Sequence, residues 1–330
     1  MKRFNGTVFE HSFLYFFPHQ NLIFMNVDKI ISYAESPEWL ESAGEKIQPA
    51  VLKVFESAGD AGQTIKNFLH GTWLGHPLHP LLTDIPVGAY TSTAVMDIME
   101  LFGNKKLKPG ADASLAIGLV GAAGSAVTGI TDWTGTSGQN RRIGLMHATL
   151  NIGATLLNTA SLILRKKKSN RKVAIGLSLA AYGVTSLAAY LGGHLVYGEQ
   201  MGVDHTAGGG PYPLKFTDVY TDANLKEGKM VCAKAGEIPV LLARQSGKLY
   251  AIAHTCSHLG GPLSEGELMD NACVKCPWHG SVFSLEDGSV IDGPATQHQP
   301  QFETRIRNGK IQVRLAQSEI IKRLDTEDQS

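Results

Sequence analysis

The sequence predicts a multi-domain protein: an α-helical four-span transmembrane bundle followed by a small all-β domain that carries a metal centre. Three observations predict it. Four long apolar stretches, at about 78–102, 113–130, 143–164 and 173–196, succeed one another with polar breaks between them. Beyond a Gly- and Pro-rich break the pattern changes to short, β-branched runs separated by glycine turns. Within this last region, Cys256-x-His258 and Cys276-x-x-His279 place two thiols and two imidazoles on two loops bearing Gly and Pro.

The chain has 330 residues, which suggests two domains, and a formal net charge of +0. That balance, with no basic face interleaved by aromatics, argues against a nucleic-acid partner. Four cysteines are too few for a secreted disulfide scaffold. A mean hydropathy of −0.05 reads as soluble only because it averages two unlike halves.

Residues 1–25 read as a disordered or mis-assigned N-terminal extension. Ser12 to Phe17 is apolar and follows Lys2-Arg3, but Pro18-His19-Gln20-Asn21 interrupts it and no cleavage site follows. Met25-Asn26-Val27-Asp28 reads as an ordinary start. Residues 26–72 form an amphipathic helical segment. Ser36 can cap, Pro37 suits the first helical position and Glu38 complements the helix dipole. Leu40, Ile47, Val51, Val54 and Phe55 recur at helical spacing, and Ile65, Phe68 and Leu69 mark a second piece. Such a segment either lies on the membrane surface or packs on the bundle that follows.

Residues 73–197 are the four-span domain. Each apolar stretch is roughly 18–25 residues, enough for a hydrocarbon core of about 30 Å. Gly, Ala, Ser and Thr abound, as in Gly118-Leu119-Val120-Gly121, and small residues let membrane helices approach closely. A soluble bundle would need a polar face on each helix, which these stretches lack. Asp97 and Glu100, near the far end of the first span, are read as interfacial. Lys105, Lys106 and Lys108 fill the first loop, and Arg165 to Lys168, Arg171 and Lys172 fill the third, against Arg141 and Arg142 on the other side. The positive-inside rule then puts both ends of the bundle and the β domain on the extracytoplasmic side of a bacterial cytoplasmic membrane. Assembly of metal centres in the cytoplasm argues the other way.

One membrane level collects ionisable groups: His76, His79 and Asp84 at the start of the first span, Asp132 at the end of the second, His147 opening the third and His194 closing the fourth. Such groups in a bilayer are costly and point to function. A haem b ligated by two imidazoles, a quinone or proton-relay pocket, and plain helix capping all remain open. This half resembles the DUF2231 family of four-span membrane domains through Leu74-Gly75-His76-Pro77-Leu78-His79-Pro80, Asp84-Ile85-Pro86-Val87-Gly88, His147 and His194, over about residues 36–200. The resemblance implies the architecture and assigns no activity.

Residues 198–213, with Gly208-Gly209-Gly210-Pro211-Tyr212-Pro213, read as a linker, either a plain boundary or a hinge for a mobile carrier. Residues 214–316 are the β domain. Val231–Ala233, Pro239–Arg244 and Lys248–Ile252 read as strands, and Asn308-Gly309 joins two more as a hairpin. Residues 317–330 read as a loose tail.

Two thiolates suit one iron and two neutral nitrogens suit a second, more reducible one. A zinc site accepts the same residue types, but its usual pattern pairs Cys with Cys and His with His. The order and spacing of the four, with residues 259–275 between the pairs, resemble the Rieske [2Fe–2S] family over about residues 214–316. The resemblance implies one [2Fe–2S] cluster. It makes Cys256 and Cys276 ligands of the buried iron and His258 and His279 ligands of the exposed one. It further implies hydrogen bonds from Ser281 and from backbone amides around Leu259, Gly260 and Gly280, and a shielding loop at Pro294. Phe283 stands where high-potential members carry tyrosine, while Gly261 and Trp278 replace the two cysteines of the cytochrome-bc type. Fewer donors place the expected potential in the lower half of about −150 to +300 mV.

The leading function is a membrane-anchored one-electron carrier between redox partners, in contact with the lipid bilayer. The alternatives are a membrane redox enzyme subunit, with a haem- or quinone-binding bundle that oxidises quinol, and an iron–sulfur redox sensor. A ring-hydroxylating oxygenase is disfavoured because little chain follows the β domain to hold a second iron site.

Overall fold

The computed structural model describes residues 37–168, 170–206, 210 and 212–320. The expectations for residues 1–25, for Ser36 as a cap, for the glycines at 208–209 and Pro211 of the linker, and for residues 321–330 of the tail lie outside the described residues.

Six α-helices precede ten β-strands among the described residues. Helix α1 (Glu38–Ser57) has Pro37 at its N-cap rather than at its first helical position, and α2 (Gly59–His70) ends on Gly71 in the left-handed region. The bundle helices are α3 (Leu78–Leu101), α4 (Lys108–Trp133), α5 (Gly138–Lys166) and α6 (Arg171–Tyr197). They pack as two antiparallel hairpins, α3 with α4 and α5 with α6. Small residues on α4 make the first hairpin close. Ala111, Leu115, Gly118, Gly121, Ser125 and Thr128 form its buried stripe. A Cβ on Gly121 would stand 2.6 Å from Ile85, and one on Gly129 would stand 2.7 Å from the His79 ring.

Of the four expected spans, the two helices long and apolar enough to cross a membrane are Lys105–Trp133 and Arg171–Tyr197. Asp84, Asp97 and Glu100 interrupt α3, and His147, Asn151 and Asn158 interrupt α5. Several of these polar groups face the bundle interior. Asp97 and Arg165, both fully buried, form an ion pair, and Ser178 donates to Asp97 at 2.6 Å. Arg171 pairs with Glu100 at 2.7 Å and with Asp112 at 2.5 Å. Asp97 and Glu100 are therefore core residues rather than interfacial ones, and Arg165 and Arg171 are internally neutralised rather than loose loop cations. A buried pair of this kind is costly to desolvate and costly to break.

Helix α1 lies across the α4–α5 turn. Gln48 donates to the carbonyls of Trp133, Thr134 and Thr136 at 2.9–3.1 Å, and Glu41 pairs with Arg141 and Arg142. Part of the apolar face of these first helices stays exposed, at Ile47, Val54, Ile65 and Phe68.

The β domain has three antiparallel sheets: β1 (Thr217–Thr221) with β10 (Lys310–Leu315) and β9 (Phe302–Arg307); β2 (Lys229–Ala235), β3 (Ile238–Gln245) and β4 (Lys248–Ala253); and β5 (Glu267–Met269), β6 (Cys273–Lys275), β7 (Val282–Ser284) and β8 (Val290–Asp292). Asn308 and Gly309 both have positive φ, as the hairpin turn between β9 and β10 requires. One core lies between the first two sheets. A second, containing Leu241, Ile252, Leu263 and Phe283, lies under the cysteines at the end of the domain nearest the bundle.

Candidate metal centre

The loops that carry the cysteines and histidines are near copies. In the first, the Gly260 amide donates to Cys256 O at 2.8 Å and the Cys256 amide donates to Gly261 O at 2.9 Å. In the second, the Gly280 amide donates to Cys276 O at 3.2 Å and the Cys276 amide donates to Ser281 O at 2.8 Å. Both Gly260 and Gly280 have φ of +78°, a conformation that costs glycine nothing. These closures bring each sulfur over the amides of its own turn. The amides of His258 and Leu259 bond the Cys256 sulfur, and those of Trp278 and His279 bond the Cys276 sulfur. The Gly260 and Gly280 amides, expected to serve the centre, instead close their turns; the Leu259 amide does face sulfur.

The loops meet through Gly261. A Cβ there would lie 2.9 Å from Cys276 Sγ and 3.2 Å from the Trp278 indole. Bare backbone lets the second loop close on the first, with the indole laid against it. The two thiols hydrogen-bond each other, and this partner pushes the Cys256 thiol up. The same bond draws the Cys276 thiol down to about 6. The His258 and His279 rings meet edge to face, with centroids 5.1 Å apart. Burial first, then His279, His70 and His205, depress His258 to about 3. Burial also lowers His279. Both imidazoles are thus held neutral, the form that binds metal.

The donor set fits a two-iron cluster. His258 Nδ1 is buried with no partner, as a ligand nitrogen would be without its metal. No three His, Cys, Asp or Glu side chains among the described residues surround one ion position. A mononuclear zinc site needs such convergence; two protein ligands on each of two irons do not.

Behind the loops, Phe283 and Ser281 are both 0% exposed. Ser281 Oγ accepts the Ala295 amide at 3.0 Å, tying down the loop of Gly293-Pro294-Ala295. That loop is also the dock for the helical domain. Asn67 donates to Ile291 O at 3.2 Å and to Asp292 at 2.8 Å, and accepts the Gly293 amide at 3.1 Å. A Cβ on Gly135 would stand 2.9 Å from the Pro294 ring, and one on Gly293 would stand 3.0 Å from His70. Gln297 donates to Gly75 O, and the His205 amide donates to Ser257 O at 3.1 Å.

The bundle residues separate. His79 and His147 do meet, with centroids 6.4 Å apart. His79 Nδ1 bonds Ser125 O, His147 Nδ1 bonds Ala188 O, and Asn151 donates to His147 Nε2 at 3.1 Å. His147 therefore has no nitrogen left for iron. His76 and Asp84 are exposed, and His194 lies 3.5 Å from Glu199. Asp132 is held by His70, 1% exposed, at 2.8 Å. A haem b site is not supported. His70, Asn67, His205 and Gln297 were not singled out by sequence. The cue available was weak: His70 and Gly71 mark a helix end just before the His76-Pro77 motif.

Paired Cys and His loops at one end of a small three-sheet β domain define a Rieske-type two-iron protein. Residues 215–303 match the Rieske [2Fe-2S] domain, and residues 75–205 match the family described as predicted membrane protein (DUF2231). The 3-phenylpropionate/cinnamic acid dioxygenase ferredoxin subunit of Escherichia coli (strain K12) is 31% identical over 97 residues, covering 29% of this chain and 91% of the subunit. Apoptosis-inducing factor 3 of Homo sapiens is 31% identical over 144 residues, 41% of this chain. The chain spans only 23% of that human relative and 15% of its Mus musculus counterpart. Among solved structures, the ferredoxin of carbazole 1,9a-dioxygenase from Nocardioides aromaticivorans IC177 aligns with 22% identity and a TM-score of 0.30, covering 31% of this chain and 99% of that one. The chain belongs to the Rieske [2Fe–2S] family, with a DUF2231 domain fused ahead of its Rieske domain.

Proposed function

We propose that this protein is a membrane-anchored one-electron carrier whose partners are redox proteins. The observation that carries the reading is the pair of matching loops, which gather two sulfurs, two neutral imidazoles and four sulfur-directed amides at one end of a β domain. Cys256 and Cys276 hold one iron, and His258 and His279 hold the other. The bound cluster supplies one-electron chemistry. The chain's own part is to neutralise the thiolates with amides, keep both imidazoles unprotonated, and exclude water with Phe283, Leu263 and the Pro294 loop. No substrate-activating group is required for that task.

All four bundle helices span the bilayer. Each carries large apolar side chains on its outer surface, among them Val95 and Ile98 on α3, Ile117 and Val120 on α4, Leu156 on α5 and Leu187 on α6, while Asp97, Glu100 and Arg165 are paired inside and Asp84 stays exposed near the start of α3. With Arg165 and Arg171 neutralised, Lys105, Lys106, Lys166, Lys167 and Lys168 still make one end strongly basic. That end is cytoplasmic by the positive-inside rule, and the β domain lies on the opposite, extracytoplasmic side.

The test is optical and EPR spectroscopy of the detergent-purified protein. Dithionite should bleach the visible spectrum reversibly and give the signal of a two-iron cluster with mixed nitrogen and sulfur ligands, and Cys276→Ser should lose both. A colourless protein that binds no iron after anaerobic reconstitution would end the reading. Extraction from membranes by carbonate wash would end the spanning assignment alone.

A further inference from the structure

The interior of the bundle is polar along its length. The stripe of α5 that faces the other helices is His147, Asn151, Ala154, Asn158, Ser161 and Arg165, spaced alternately four and three apart. Every position but Ala154 carries a polar group, where packing alone asks for apolar side chains. At 1.5 Å per residue the stripe runs about 27 Å, close to the hydrocarbon thickness of about 30 Å.

Three levels follow one another along it. At the end near the β domain stand the His79 and His147 rings, edge to face. At mid-height a Cβ on Gly118 would collide with the Tyr90 ring, which is thus laid flat on α4. The Tyr90 hydroxyl faces Asn158 without closing to hydrogen-bonding distance. The Asn158 amide nitrogen, in a residue 1% exposed, is buried with no partner in the protein. So is Thr185 Oγ1, one turn along α6 from the Ala188 carbonyl that holds His147. Polar residues can glue membrane helices together, but glue is paired, and these three donors are not. Buried donors of this kind are bridged by water.

At the lysine-rich end the stripe meets charge. Asp97 accepts from Ser178 Oγ at 2.6 Å and from Arg165 Nη1 at 2.9 Å. Arg165 also donates to Asp112 at 3.0 Å, so its charge keeps a carboxylate partner when Asp97 takes a proton. Arg171 bonds Glu100 and Asp112, and Lys108 lies 3.6 Å from Glu100. The side chains of Arg171 and Asp112 are 22% and 31% exposed, which opens the set to solvent.

We propose that the bundle conducts protons across the bilayer along this stripe. Asp97 is the carrying carboxylate, and water held by Tyr90, Asn158 and Thr185 bridges it to the His79–His147 pair. Each transfer breaks one O–H or N–H bond and makes another. A proton entering at one end is matched by one leaving at the other, and no oxidant or reductant is consumed. The fixed charge of Arg165 repels other cations. The inference rests on the spanning assignment and adds a second activity to the electron carrier.

The test is proton flux into liposomes carrying the reconstituted full-length holoprotein, read by entrapped pyranine under a potassium diffusion potential set with valinomycin. Wild type should acidify the lumen about tenfold faster than protein-free liposomes, with sodium flux at the protein-free level. Asp97→Asn and Asn158→Leu should return proton flux to background, and Asp97→Glu should keep most of it. Tyr90→Phe, which leaves the ring on Gly118, should slow it about tenfold through loss of one water-bridged hydrogen bond. An unaltered EPR signal and unaltered thermal unfolding in detergent verify each variant. If Asp97→Asn or Asn158→Leu fails that check, Tyr90→Phe decides alone. Wild-type flux no faster than in protein-free liposomes, flux that survives all three changes, or sodium moving with the protons would overturn the inference. Protein that does not float with the liposomes after a carbonate wash would instead overturn the spanning assignment beneath it.

Discussion

Replacing Ser281 with alanine separates two jobs of one hydroxyl. Its oxygen accepts the Ala295 amide at 3.0 Å and the side chain is wholly buried, and the Rieske resemblance implies that its hydrogen would donate to a sulfur of a bound cluster. A hydrogen bond to a charged acceptor contributes about 1.5–3 kcal/mol. Only the part that differs between the two redox states moves the potential. If that is about half, ~0.8–1.5 kcal/mol, the one-electron midpoint falls by about 35–65 mV, since a tenfold change in equilibrium is about 59 mV. The second job is structural. The Ala295 amide, 1% exposed, loses its acceptor at a cost of about 1–3 kcal/mol. Spectroelectrochemical titration of holoprotein reads the first effect, and hydrogen exchange at residues 293–296 reads the second. Faster exchange with an unchanged midpoint would refute donation to the cluster and leave Ser281 as a loop tie only.

Phe283→Tyr should move the midpoint the other way by a similar amount, as checked by the same titration, although a hydroxyl forced into a fully buried position should also cost about 1–3 kcal/mol of stability. Asn67→Ala removes three bonds to the Ile291–Gly293 strand and loop, and should raise hydrogen exchange there at least tenfold while the strands other than β8 keep their protection. Arg165→Met should destabilise the bundle by about 3–5 kcal/mol because Asp97 is left buried and unpaired, whereas Arg165→Met with Asp97→Leu should recover much of the loss in thermal unfolding in detergent. Glu41 is held below its usual value of 4.5 by hydrogen bonds from Arg142 and Arg141. A depressed carboxylate contributes stability above its unfolded pKa and loses it as pH falls through the folded one. Wild type should therefore melt higher than Glu41→Gln at pH 7 and match it at acid pH.

The centre was legible in the sequence because its four side chains come from two short words whose spacing survives folding. Local turn chemistry told the same story, down to the left-handed glycines and the Asn308-Gly309 hairpin. Which amides face the sulfurs was not legible. Gly260 and Gly280 look available in sequence, and only the closure of each turn shows that they are taken. Long-range pairing was equally hidden. Asp97 and Arg165 sit on helices 68 residues apart in sequence, so each reads singly as an interfacial or loop charge, and together they form a core. Asp132 reads as a partner for the bundle histidines, yet His70, outside the bundle, reaches it first.

The loop at Pro294 has two faces. One is tied to Ser281 behind the cysteines, and the other seats on Gly135 of the helical domain. The polarity of the medium around the iron is thus not a property of the β domain alone. Solvent access and local dielectric tune such a centre, so parting the domains would rewet it and shift its driving force. In this chain the helical half is part of the solvent of the metal.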